Sequence, residues 1–247
     1  MAFTEVQILT IAVAFIVAGI AKGAIGIGLP PIAVGLMTLA VPLEDSLAIM
    51  TIPTLTTNIW QAIYGHGLLR LFRRFWTLAL TATITLLIVA ATLQQLGSPK
   101  ATAWLGVMLV VYSTIALLAW RPRVSPETER WMNPVMGAAS GFVAGITGIA
   151  AIPFLPYMQS LEINKDDLVQ ALGILFIFLI GSLSIALLRQ GAFDATNVIG
   201  GVAAIVPTSI GVWLGQKSRN ALSPEMFRRV FLIGLLGIGL HMARGLL

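Results

Sequence analysis

Eight long apolar runs, separated by short polar linkers, constrain this chain more than any other feature of its sequence. A helix needs about 20 apolar residues to cross the hydrocarbon core of a bilayer, and each run reaches that length. Charged residues lie almost wholly between the runs. The pattern predicts an all-α polytopic membrane protein, with apolar runs at residues 6–41, 46–65, 75–96, 101–120, 132–161, 168–188, 196–216 and 226–246.

The overall composition argues against the main alternatives to a membrane protein. Of the 247 residues, 57% are hydrophobic and only 10% are charged, whereas a soluble domain has roughly 25% charged residues. A soluble enzyme, a disordered chain or a nucleic-acid-binding module is therefore not expected. The net charge of +5 comes from short basic clusters between the runs, as in membrane loops. The chain has no cysteine, and we predict neither a metal site nor a cofactor.

Two of the runs contain glycines and prolines that should interrupt a helix. Run 6–41 has 36 residues and would extend about 54 Å as one helix, against a hydrocarbon core of about 30 Å. Its middle, residues 22–31, holds three glycines and two prolines. Run 132–161 has a similar set at Gly141, Gly145, Gly148 and Pro153. We therefore expect the first segment of each half to be broken.

The two interrupted runs indicate an internal duplication. A shift of 122 residues superimposes Gly19 on Gly141, Gly23 on Gly145, Gly26 on Gly148, Pro31 on Pro153 and Asp45 on Asp167. Farther along the chain the shift grows to 124 and 125, as small loop insertions would produce. The prediction is two homologous repeats of about four to five membrane segments each. They occupy residues 1–120 and 132–247, joined by a central polar linker at 121–131.

The distribution of Lys and Arg favours inverted rather than parallel repeats. If each broken segment crosses the membrane once, the halves are parallel and the loops divide 8 basic residues against 6, leaving out Lys22. If each broken segment enters and returns, or crosses twice, the halves are inverted and the division becomes 11 against 3. Basic residues concentrate on the cytoplasmic side. We therefore predict inverted repeats with both termini outside the cytoplasm.

The glycine breaks have two interpretations. Where a helix restarts inside a membrane protein, its free N–H groups and positive dipole end can bind an anion, and transporters use such sites between inverted repeats. On this interpretation the site includes Gly26, Gly28, Pro31, Gly148 and Pro153. The alternative is helix packing, which favours small residues four positions apart. Gly23 and Gly145 fit either interpretation, since each also ends a Gly-x-x-x-Gly pair.

Five polar residues within or beside the apolar runs are further candidates for a substrate site. Lys22 could supply the countercharge for an anion, or its ammonium could extend to the membrane surface. Asn58 and Gln61 share one helix face and could donate to oxyanion oxygens or join two helices. Thr147 and Gln170 have the same two possibilities.

The sequence resembles the sulfite exporter TauE/SafE family of membrane permeases over essentially its whole length. The motifs that carry the resemblance are Gly23-x-x-Gly26-x-Gly28-x-x-Pro31, its counterpart Gly145-x-x-Gly148-x-x-x-x-Pro153, the stretch 48–61 and the stretch 170–173. The second break has Ala150 and Ala151 where the family more usually has glycine. The resemblance implies transport of sulfur-containing anions such as sulfite or organosulfonates.

We therefore predict a secondary transporter, exporting or importing sulfite, thiosulfate or an organosulfonate by alternating access around the paired breaks. It is expected in the bacterial inner membrane, with the bilayer and a small anion as partners and a homo-oligomer left open. An anion channel is the alternative. An integral-membrane enzyme would need ionisable residues meeting inside the bilayer, and the runs contain almost none.

Overall fold

A computed structural model of the chain describes residues 3–26, 28–93, 98–118, 123–149, 153–218 and 224–246. These residues form eleven α-helices and one terminal 3₁₀ turn, and no strand occurs among them. The helices are α1 (Glu5–Ile25), α2 (Leu29–Met37), α3 (Leu43–Tyr64), α4 (Leu68–Leu93), α5 (Pro99–Leu117), α6 (Pro126–Thr147), α7 (Phe154–Ser160), α8 (Lys165–Arg189), α9 (Ala195–Ala203), α10 (Ile205–Ser218) and α11 (Pro224–Ala243).

Five helical stretches in the described part of the chain are long and apolar enough to cross a bilayer. They are Glu5–Ala24, Leu68–Leu93, Pro99–Leu117, Lys165–Arg189 and Ala195–Lys217. The last stretch combines α9 with α10. The stretch in α8 is 67% buried inside the protein and each of the others at most 39%, so α8 is the most enclosed of the five. The prediction of an all-α integral membrane protein is confirmed.

Both predicted helix interruptions are present, and both begin with a left-handed glycine. Gly26 ends α1 with a φ of 84°, and its N–H donates to the Lys22 carbonyl oxygen at 2.7 Å. Gly148 ends α6 with a φ of 77°, and its N–H donates to the Ala144 carbonyl oxygen at 2.8 Å. A positive φ of this size is easily adopted by glycine alone. The same residue type therefore ends both helices by the same hydrogen bond.

Two helices begin earlier than the apolar runs predicted. α4 begins at Leu68 rather than residue 75, and α6 begins at Pro126, inside the predicted linker 121–131. Ser125 caps α6 by accepting a hydrogen bond from the Thr128 N–H. The added turns carry charges that pair with each other, because the Arg74 guanidinium donates two hydrogen bonds to the Glu129 carboxylate at 2.6 and 2.7 Å. The positions of the charged residues therefore did not predict where α4 and α6 begin.

Two pairs of helices pack closely through glycine, and each pair joins the two halves of the chain. α1 lies along α10, where Gly19 contacts Gly211 backbone to backbone. α6 lies along α4, where the Gly141 backbone contacts that of Ala82. The contacts advance in the same sense along both partners, so each pair is parallel. Small residues allow this approach between helix backbones.

Two other pairs of packed helices, α3 with α8 and α5 with α11, are antiparallel. The C-terminal end of α3 lies beside the N-terminal end of α8, since the Gln61 amide donates to the Val169 carbonyl oxygen. In α5 and α11, Gly106 packs against Gly239 and the Ala243 backbone, while Ala103 lies near Gly245, just beyond α11. Each pair therefore joins a helix before the predicted linker to a helix after it, and the two helices run in opposite directions.

Candidate functional site

Lys22 lies in the last turn of α1, and its side chain extends to the middle of α3. The residue is 8% exposed. Its ammonium donates to the Asn58 Oδ1 at 2.6 Å and to the Thr57 Oγ1 at 3.0 Å. The Lys22 carbonyl oxygen also accepts from the Gly26 N–H, so the first break and the ammonium lie within one turn of each other.

The Lys22 ammonium has no acidic partner among the described residues. The ion pairs found there are Arg70 with Asp167 and Arg74 with Glu129. Both groups that accept from Lys22 are neutral. A buried charge is costly unless another charge compensates it. An anion placed beside Lys22 would supply that compensation.

The α3 face around Asn58 has further polar groups that sequence reasoning did not select. Thr57 accepts from Lys22 while its own hydroxyl donates to the Pro53 carbonyl oxygen at 2.9 Å. The Thr54 hydroxyl is buried and has no hydrogen-bond partner in the described structure. Thr54, Asn58 and Gln61 are spaced four and three residues apart, which places them along one helix face. That spacing was the signal available in the sequence.

The start of α2 offers few backbone donors, although we predicted an anion site there. Gly28, with a φ of 102°, precedes α2, and Pro30 and Pro31 follow Leu29 in its first turn. Proline has no N–H group. Of the first three residues of α2, only Leu29 therefore carries an amide hydrogen. Lys22 is the basic side chain closest in sequence to this break.

The second break has no equivalent of Lys22. Ala144 occupies the matching position on α6, 122 residues later. The Thr147 hydroxyl donates to the Val143 carbonyl oxygen and accepts from the Ile149 N–H, so it stabilises the end of α6. Pro153 precedes α7, a helix of seven residues. Residues 150–152 lie outside the described part of the chain.

The two breaks contact α3 at different levels. Gly148 packs against Leu47, near the start of α3, whereas Lys22 binds Thr57 and Asn58. Ten residues separate Leu47 from Thr57, which corresponds to about 15 Å along a helix. The contacts described here do not bring both breaks to one point, and only the first is associated with a charge.

Gln61 and Gln170 both join helices. The Gln61 amide donates to the Val169 carbonyl oxygen at 2.5 Å. The Gln170 amide nitrogen donates to the Ala62 carbonyl oxygen at 2.7 Å, and its oxygen accepts from the Gly67 N–H at 2.9 Å. These bonds tie α8 to the end of α3 and to the turn before α4.

Gly23 and Gly145 face neighbouring helices. A side chain at Gly23 would meet the Val212 carbonyl oxygen of α10, and one at Gly145 would meet Val89 of α4. The structure therefore supports the packing interpretation for these two glycines. Of the predicted site residues, Lys22 and Asn58 form the hydrogen-bonded core of the candidate site.

The model of one family matches residues 11–242, which is nearly the whole chain: the sulfite exporter TauE/SafE family. The chain belongs to that family. No significant match was found among curated proteins or among solved structures. The family is one of membrane transporters, in keeping with the prediction that the chain is not an enzyme. In the described residues no group of three or more His, Cys, Asp or Glu could hold a metal ion.

Proposed function

We propose that the protein is a secondary transporter of a small sulfur-containing oxyanion, namely sulfite, thiosulfate or an organosulfonate. It binds this anion at Lys22, with Thr54, Thr57 and Asn58 around it. Transport proceeds by alternating access, in which the two halves of the chain move relative to each other. Membership of the family supports the class of substrate, and the side chains near the first break support the location.

The observation that carries this proposal is the buried ammonium with neutral partners only. A cation in a membrane helix is expensive to bury and is retained where function requires it. With Lys22 protonated, 8% exposed and bonded only to an amide and a hydroxyl, the site has a net positive charge. A sulfur oxyanion carries the opposite charge on oxygens that accept hydrogen bonds.

The neighbouring groups suit an oxyanion in number and type. The Lys22 ammonium has three N–H donors, two of which serve Thr57 and Asn58. The Asn58 oxygen accepts from Lys22, and the Asn58 amide nitrogen makes no hydrogen bond to the described residues. The Thr54 hydroxyl, also without a partner there, is one turn away. Together these groups offer several donors to one small ligand.

The same proposal includes inverted repeats. Its support is that α3 and α8 hold equivalent places in the two halves and run antiparallel, as do α5 and α11. The contacts of the capping glycines are also reciprocal. Gly26 packs on Val169, and Gly148 packs on Leu47, which is the equivalent of Val169 at the shift of 122. Two halves related in this way can exchange roles on opposite sides of a membrane.

Uptake by proteoliposomes tests the function. The parent protein is expected to accumulate labelled sulfite, thiosulfate or methanesulfonate in a saturable manner and to exchange internal for external anion, whereas a channel would not show counterflow. Lys22→Gln should reduce uptake about 100-fold or more, because a buried charge-assisted contact contributes roughly 3 kcal/mol. Lys100→Gln changes an exposed lysine and should leave uptake unchanged.

Thermal unfolding in detergent separates a binding role from a structural one. Without anion, Lys22→Gln should unfold at the same temperature as the parent or higher, because an uncompensated buried charge has been removed. With anion, only the parent should gain stability. If the variant were less stable without anion yet kept the gain, Lys22 would be a structural residue and the proposed site would be wrong.

Cysteine labelling tests the orientation of the halves. The chain has no cysteine, so one cysteine added at either end is the sole target. Inverted repeats with the predicted orientation require both additions to react with an impermeant thiol reagent in intact cells. A reactive N-terminus with a protected C-terminus would overturn the inverted arrangement.

A further inference from the structure

A cavity lined by several charged side chains lies between the N-terminal parts of α4 and α6 and Glu162, apart from the Lys22 site. Its volume is about 810 Å³, and it is open to the surface. Arg73, Arg74 and Arg130 line it together with Trp76 and Trp131. None of the residues that bind Lys22 contributes to it.

The arginines of this cavity differ in what they bind. Arg74 is held by Glu129 through two hydrogen bonds and also donates to the Glu162 carbonyl oxygen at 3.3 Å. Arg73 and Arg130 are exposed and form no ion pair with the described residues. With Glu129 neutralised by Arg74, the Glu162 carboxylate opposes two free guanidinium groups. The cavity therefore has a net positive charge and two unused planar donors for a phosphate.

The cavity opens beside an apolar surface that continues along α4. Trp76 is 51% exposed, and the residues that follow it at intervals of four are also exposed: Leu80 at 48%, Ile84 at 47% and Ile88 at 57%. Trp131, at 79% exposure, marks the same level on α6. Tryptophan is enriched where a membrane helix passes from hydrocarbon to the polar interface. Along α4, the arginines are followed by Trp76 and then by the aliphatic row. A phospholipid presents its headgroup, its interfacial region and its acyl chains in the same order.

We propose that this cavity binds the headgroup of an anionic phospholipid. The phosphate lies between Arg73 and Arg130, and an acyl chain lies along Trp76, Leu80 and Ile84. Basic pockets between membrane helices are suited to anionic headgroups. The aliphatic row is what favours a lipid over a free anion, because a soluble phosphate would make no use of it.

The test compares three probes on the purified full chain in detergent. Phosphatidylglycerol should raise the thermal unfolding temperature in a saturable manner. Phosphatidylcholine with the same acyl chains and free glycerol phosphate should raise it much less. An equal response to phosphatidylcholine would show that charge is irrelevant, and an equal response to glycerol phosphate would show a soluble-anion site. Either result overturns the proposal.

Variants assign the effect to the cavity. Each arginine near an anionic lipid surface contributes about a fivefold factor in affinity, so Arg73→Gln with Arg130→Gln should weaken binding roughly 25-fold. Glu162→Gln removes the opposing carboxylate and should tighten binding. Arg189→Gln changes an exposed arginine at the end of α8, outside the cavity, and should have no effect.

The two substituted arginines form no ion pair among the described residues, so the double variant should fold normally, and its unfolding temperature without lipid checks this. Native mass spectrometry of the parent provides a second measurement, which should detect bound phosphatidylglycerol in preference to phosphatidylcholine. If the double variant retains full lipid affinity, the cavity is not the binding site.

Discussion

The break between α1 and α2 and the break between α6 and α7 begin with the same backbone cap and differ in side chains. Each leading helix ends in a left-handed glycine whose N–H bonds to the carbonyl oxygen four residues earlier. That carbonyl belongs to Lys22 in the first half and to Ala144 in the second. The two breaks therefore share one kind of backbone cap. The first also carries a basic side chain, which the second lacks at the position 122 residues later.

The capping glycines give the largest expected contrast in stability. Alanine in a left-handed conformation costs about 1–2 kcal/mol at either position. A Cβ at Gly26 would lie 3.2 Å from the end of the Val169 side chain, whereas at Gly148 it would lie 2.5 Å from two carbons of the buried Leu47. Displacing Leu47 adds about 1–2 kcal/mol. Gly148→Ala should therefore lower the unfolding temperature in detergent more than Gly26→Ala. Equal losses would mean that the backbone conformation alone sets the cost.

Substitution of Thr57 and substitution of Thr147 should affect different properties, the first anion affinity and the second stability. Thr57→Val removes one of the two groups that hold the Lys22 ammonium, and a hydrogen bond to a charged group contributes about 1.5–3 kcal/mol. Uptake by this variant should require roughly tenfold more anion for half-maximal rate.

Thr147→Val is the matched change at the second break. It removes bonds that stabilise the end of α6, so stability should fall by about 1 kcal/mol with uptake kinetics per folded molecule unchanged. Impaired anion affinity in Thr147→Val would show that the second break contributes to the site after all.

The smallest expected difference in stability is between two variants, Asn197→Ala and Arg70→Ala, at contacts between the two halves of the chain. Asp45 accepts from the buried Asn197 amide at 2.8 Å, and its equivalent Asp167 pairs with Arg70, whose side chain is 68% exposed. Asn197→Ala should cost about 1–2 kcal/mol because buried hydrogen bonds are lost. Arg70→Ala should cost at most about 0.5 kcal/mol, since exposed ion pairs are weak. Thermal unfolding of the two variants measures the difference, and a larger loss for Arg70→Ala would reverse this ranking.

Local sequence patterns were sufficient for the membrane class, the family and the two breaks. The apolar runs are a direct consequence of the bilayer, and a left-handed residue at a helix end selects glycine, so both features can be read without knowing any contact. The starts of α4 and α6 could not be found in this way. Their early turns carry arginine and glutamate, and the bond between Arg74 and Glu129 joins the two helices there.

The roles of individual side chains likewise depended on contacts that local sequence does not show. Asn58 and Gln170 each had two possible roles in the sequence, ligand or clamp, because an amide has the same donors in either role. In the structure, Gln170 uses both its amide groups between helices, while Asn58 accepts from Lys22 through its oxygen. Thr57 was not predicted as a site residue, because its contact is with Lys22, which lies 35 residues earlier in the sequence.

The sequence by itself determined that this chain is a helical membrane protein of the sulfite exporter TauE/SafE family and that its runs 6–41 and 132–161 are interrupted at glycines. These properties depend on composition and on backbone conformation, which are local. Only the tertiary structure decided that Lys22 is buried against α3 without an acidic partner in the described residues, and that Gly23 and Gly145 pack helices. The cost of a charge or the room for a side chain depends on what another helix places beside it.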